Sequence, residues 1–143
     1  MPGTLFDLIQ SIRKGCIRTE EKIRIEHDLS AAEFVGIRSI QPGEKLLGGE
    51  FSRRMDLSPS RGSRVITQLV QKNIIQVQTM PDNRRSIEVS LTETGRRLQK
   101  DIEREIIHCE DALLAKLPDA RREVFKETLT ALSRLLNDTT HPS

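Results

Sequence analysis

The chain of 143 residues has no tryptophan, no tyrosine and only four phenylalanines. Its interior must therefore be built from Leu, Ile and Val, which suits helices packed on helices. No apolar run approaches the roughly 20 residues that a membrane span needs, and Met1-Pro2-Gly3-Thr4 lacks the basic-then-apolar layout of a secretory signal, so a cytoplasmic location without membrane contact is expected. Cysteine is scarce: Cys16 and Cys109 offer neither a disulfide framework nor recognisable metal-ligand spacing, and reduced thiols follow. His27, His108 and His141 form no spaced ligand pair. There is no phosphate-binding glycine loop and no nucleophile elbow. Catalytic residues, metals and cofactors are accordingly not expected, and an enzyme is the poorest reading.

What is present is basic charge in one place. Of 23 Lys and Arg residues, ten lie between Arg53 and Lys100, against four acidic residues there. The rest of the chain holds thirteen basic and seventeen acidic residues, so a net charge of +2 conceals a positive middle. Concentrated positive charge is the footprint of a polyanion-binding surface, because neutralising phosphates supplies most non-specific DNA affinity.

Periodicity places this charge on elements. Thr4 is expected to cap a first helix carrying Leu5, Leu8, Ile12 and Cys16 on one stripe and running to about His27. Ser30 with Glu33 is a capping-box pattern for a second helix from Ala31 to about Ile40. A short third helix, roughly Gly49 to Met55, precedes a turn at Asp56-Leu57. Ser58-Pro59 starts a fourth, since Ser satisfies free amides and Pro sits where no donor is needed. That helix sets Val65, Ile66, Leu69 and Val70 against a polar face of Ser60, Arg61, Ser63, Arg64, Thr67 and Gln68, and Asn73 follows it in a left-handed position. Alternation then predicts a strand over Ile75 to Met80 and another over Ile87 to Leu91, joined by a basic loop from Pro81 to Ser86. A long helix from about Glu93 to Lys116 carries Leu98, Ile102, Ile106, Cys109 and Leu113. Beyond Pro118, a last helix carries Val124, Phe125, Leu129, Leu132 and Leu136, with 138–143 as a flexible polar tail.

The fold class expected is mainly α with a small β-hairpin wing, a winged helix-turn-helix over 31–92 within a single domain of 1–143. A recognition helix needs small polar residues and arginine near its start so that the backbone approaches base edges while Arg reads guanine. Ser58, Ser60, Arg61, Ser63, Arg64, Thr67 and Gln68 meet that need. Arginine on a wing tip suits a narrow minor groove, where negative potential is concentrated, and Arg84 and Arg85 fit. Gly62, inside the fourth helix, is expected to weaken it or to allow close DNA approach. Arg53, Arg54, Arg96 and Arg97 suit phosphate contacts and helix ion pairs equally.

From Gly49 to Val70, and more specifically over Asp82-Asn-Arg84 and the closing Leu91-Thr92-Glu93-Thr94-Gly95, the sequence resembles the MarR family of winged helix-turn-helix transcriptional regulators. The resemblance implies that Arg84 enters the minor groove and that Asp82 steadies the wing by pairing with a neighbouring arginine. It further implies a homodimer formed through 4–28 and 93–137, burying Leu5, Leu8, Ile12, Ile106, Leu113, Phe125, Leu129, Leu132 and Leu136, with Leu98 and Ile102 expected there too. A palindromic operator in double-stranded DNA, repression, and control by a small, often anionic aromatic effector follow as family expectations. Two alternatives stay open: redox sensing through Cys16, and a protein-interaction module without DNA readout.

Overall fold

Local capping chemistry sets the helix boundaries in the computed structural model, which describes residues 3–138 and, within them, all side chains but that of Arg84. Helix α1 spans Leu5–Glu26 and is opened by a reciprocal box in which Thr4 accepts from the amide of Asp7 while Asp7 accepts from that of Thr4. Helix α2, Ala31–Ser39, repeats the device with Ser30 and Glu33. Leu46–Leu47 forms a short strand, β1, leading directly into α3, Gly48–Arg54. After a turn in which Asp56 takes φ 55°, α4 spans Pro59–Gln71, with the Ser58 hydroxyl accepting from the Arg61 amide. Asn73 takes φ 60° and redirects the chain into β2, Ile75–Met80, and β3, Asn83–Leu91. Helices α5, Glu93–Leu114, and α6, Asp119–Asp138, complete the order.

The mainly helical fold with a wing is thus present, with three differences from expectation. The sheet has three strands in the order β1-β3-β2, all antiparallel, because Leu46 and Leu47 pair with Val89 and Glu88. Two residues are too few for a periodic signal. The loop between β2 and β3 is only Pro81-Asp82: Arg84, Arg85 and Ser86 belong to β3, and the regular ladder from Ile75↔Leu91 to Thr79↔Ile87 breaks before Met80↔Asn83. Finally, α6 runs through Asp138, and the rest of the expected tail, with His141, lies outside the described residues.

Two compact units divide the chain, residues 1–105 and 106–143. In the first, Phe51, Ile37, Ile40, Leu69, Ile75, Val89 and Ile102 are essentially sealed from solvent. Ile102, expected at a subunit interface, is instead part of this chain's own core. Gln99, on α5, donates to the carbonyls of Ile37 and Ile40 at 2.7 Å each, meeting two acceptors left open at the end of α2. Thr92 joins sheet to helix: its hydroxyl contacts the carbonyls of Asn73 and Ile74 and accepts from the amide of Gly95. A Cβ at Gly95 would lie 2.0 Å from the Ile74 carbonyl oxygen. The Leu-Thr-x-x-Gly pattern therefore has a steric cause: α5 starts against backbone.

The first half of α1 leaves Leu5, Phe6, Leu8 and Ile12 at least half exposed on this chain. In the second unit, α6 buries no residue completely; Phe125, Leu129 and Leu136 are exposed and Leu132 half-buried. Ile106 is half-buried and Leu113 exposed. Among the described residues no helix is long and apolar enough to cross a membrane.

Candidate nucleic-acid interface

Helix α4 presents its two faces almost as its sequence predicts. Val65, Ile66 and Leu69 are buried, whereas Ser58, Ser60, Arg61, Ser63, Arg64, Thr67 and Gln68 are all exposed. Val70 departs from the expectation, being exposed at the rim of the apolar face. The hydroxyls nearest the helix start are only loosely engaged, Ser58 and Ser60 lying 3.4 Å apart, while Thr67 donates back to the Ser63 carbonyl.

Gly62 corrects the expectation of close DNA approach. It is buried, and a Cβ there would lie 1.9 Å from the Ser52 hydroxyl oxygen and 2.6 Å from its Cβ. The missing side chain lets α4 close onto α3, where Ser52 donates to the Gly48 carbonyl at 3.0 Å. Gly62 faces the protein and sets the angle at which the neighbouring polar face is offered. Nothing in the order of residues links positions 52 and 62; only helix packing does.

The arginines separate by pairing. Arg53 is bound to Glu50, Arg97 to Glu93, and Arg54 to Glu44, Glu50 and the Ser39 carbonyl. The hydrogen bond from the Arg54 guanidinium, helped by the Gln41 amide, holds the Glu44 carboxyl down at about 2. These three cations are engaged by carboxylates of the chain itself. Among the described residues Arg61, Arg64, Arg85, Arg96 and Lys100 form no ion pair, so unneutralised charge remains on the outward face of α4, on the wing and early in α5. Arg85 and Asp82 are exposed at the wing, and the Arg85 amide donates to the Asn83 side chain. The side chain of Arg84 lies outside the described residues; among those described, no cation pairs with Asp82.

A clasp that the sequence did not reveal fixes the far end of α4. Lys72 caps the helix and reaches Glu33 at 3.0 Å and the carbonyl of Asp28, which itself takes φ 54°. Burial raises the Glu33 pKa, but hydrogen bonds from the Ser30 amide, Lys72 and the Ser30 hydroxyl outweigh it and hold the carboxyl below its usual range. The signal was half visible, since the capping box named Glu33 without naming Lys72.

Elsewhere, Cys16 is exposed on α1 and not sunk into an apolar surface, and Cys109 is half-buried. An open hollow of about 290 Å³ on the sheet is lined by Lys45, Gln76, Val77, Gln78, Glu88 and Ser90. It is polar and offers no enclosed apolar wall for an aromatic ligand.

Residues 29–87 match the model of the MarR family. Among solved structures, the chain is similar to a Staphylococcus aureus MepR mutant, with 16% identity, TM-score 0.81 and coverage of 94% of this chain and 99% of that one. FabT from Streptococcus pneumoniae, solved in complex with DNA, gives 20% identity and TM-score 0.80 over 94% and 96% of the two chains. NadR, solved with 4-hydroxyphenylacetate, gives 18% and 0.67 over 92% and 97%. At these identities the likeness establishes the fold. No curated relative matches the sequence.

Proposed function

We propose that this chain is a MarR-type regulator, a reading supported by the match of residues 29–87 to the MarR family: a homodimeric, sequence-specific protein that binds double-stranded DNA and represses transcription from a palindromic operator. The observation that carries this reading is the outward face of α4: seven exposed polar residues in which neither arginine is committed to a carboxylate among the described residues.

In the proposed complex, the α4 helices of two protomers enter successive major grooves about 34 Å apart. Arg61 and Arg64 reach base edges or phosphates, and the amides at the start of α4 favour a phosphate oxygen. Asp82, Arg84 and Arg85 bring the wing to the adjacent minor groove. The exposed stripes, Leu5, Leu8 and Ile12 on α1 and Phe125 and Leu129 on α6, would give the dimer its apolar surface; contiguous exposed apolar residues on this scale mark interaction sites. FabT with DNA and NadR with an anionic aromatic compound support the corresponding partner classes: DNA, and a small aromatic effector.

Fluorescence anisotropy against a random duplex, repeated across salt concentrations, tests the reading. With roughly six to eight phosphates neutralised per dimer, log K should fall against log[salt] with a slope of about −5 to −7. A flat dependence would favour a protein-interaction module and overturn the proposal.

A further inference from the structure

We propose that Glu26, His27 and Glu105 form a site for a divalent transition-metal cation, zinc by the chemistry of its donors. These residues, at the end of α1 and on α5, bring one imidazole nitrogen and two carboxylate oxygens to within 4.8 Å of one another. The His27 Nε2 already lies 3.1 Å from Glu105 Oε1. Independently, Glu105 Oε2 is shut off from solvent with no hydrogen-bond partner among the described residues. A buried carboxylate oxygen left without a donor is costly, and a cation supplies what the protein does not.

The donor set is selective. One imidazole with two carboxylates offers three of the N and O donors that zinc accepts, with bonds of about 2.0 to 2.2 Å and room for an open position, whereas magnesium and calcium prefer oxygen alone. Side-chain movements of about an ångström bring the three atoms to those distances. The metal takes the place of the present contact between His27 Nε2 and Glu105 Oε1. The backbone is held for the purpose: His27 caps α1, its amide bonded to the carbonyls of Ile23 and Ile25. The neighbouring Asp28 carbonyl receives Lys72, so a cation here grips the same turn that anchors the end of α4. Arg24, three residues before His27, is paired with Glu20 at 3.6 Å and donates to the Leu29 carbonyl.

Zinc chloride titrated calorimetrically into chelator-treated full-length protein in a non-coordinating buffer tests the site without reference to DNA. Expected are saturable binding at micromolar concentration or tighter and a raised melting temperature. Affinity should fall at least tenfold in His27→Ala and in Glu105→Gln, and persist when both cysteines are replaced by serine. Should His27→Ala fail to fold by circular dichroism, Glu26→Gln, at an exposed position, carries the same expectation. Cobalt(II) should give weak d–d bands without thiolate charge transfer. Absence of binding up to millimolar zinc, unchanged affinity in the ligand variants, or loss of binding in the cysteine-free protein would overturn the assignment.

Discussion

Gly62→Ala should destabilise this protein, although the same change in an open helix stabilises by up to about 1 kcal/mol. The new methyl would sit 1.9 Å from Ser52 Oγ and 2.6 Å from its Cβ, with the Ser52 Cα at 3.3 Å. Neither helix has slack there: Ser52 is buried and its hydroxyl is bonded to Gly48. Contacts this short put the cost in the upper part of the usual overpacking range, about 2 to 3 kcal/mol, so after a helix-propensity gain of up to about 1 kcal/mol a net loss of about 1 to 2 kcal/mol is expected. For a chain of this size that lowers Tm by roughly 3 to 6 °C, read by thermal and urea unfolding at fixed protein concentration because dimerisation makes Tm concentration-dependent. Ser52→Gly removes both offending atoms, and the next nearest, the Cα of residue 52, lies at 3.3 Å. The double variant should therefore recover most of the loss, with a coupling of about 1 to 2 kcal/mol between the sites. DNA affinity should follow, because separating α3 from α4 tilts the recognition face. A Gly62→Ala protein more stable than the parent, or losses that simply add in the double variant, would refute the packing argument.

Other expectations are briefer. Arg64→Ala should relax preference at one base pair by about 1 to 3 kcal/mol, seen by competition with single-base operator variants; Arg84→Ala should weaken binding and make the salt slope shallower without changing the dimer. Leu129→Asp should shift the mass measured by light scattering toward the 16.3 kDa of one chain. Gln99→Leu leaves two buried carbonyls without donors and should cost about 2 to 3 kcal/mol in urea unfolding. Glu44 is held at about 2 in the folded protein against 4.5 ordinarily, so its contribution is present above pH 4.5 and fades as pH falls toward 2; the Tm difference between the parent and Glu44→Gln should shrink over that interval.

The parts of the fold written in neighbouring residues were legible. Thr4, Ser30 with Glu33, and Ser58-Pro59 each fix a helix start within one turn, and each is found where its chemistry requires. The polar face of α4 followed from period 3.6, and Asn73 from its tolerance of positive φ. Features that need a distant partner were not legible. Gly62 is unremarkable until Ser52 is brought against it, and Lys72 gives no sign of Asp28 and Glu33 some forty residues earlier. Glu26 and His27 meet Glu105 only through the placement of α5, and ligand spacing along the chain could not reveal them. The wing loop was overestimated because Arg84, Arg85 and Ser86 lack the apolar alternation that marks a strand, yet they continue β3 toward its turn. Apolar stripes on α1 and α6 were readable as stripes, and they remain exposed on this chain.

Whether the protein is a symmetric, sequence-reading DNA binder is decided by selecting bound fragments from a random pool of duplex DNA. Expected is enrichment of an inverted repeat whose half-sites are centred about one helical turn apart, lost when Arg61 and Arg64 are both replaced by alanine although the dimer persists. Recovery of no common sequence, or of one indifferent to those two arginines, would contradict that reading.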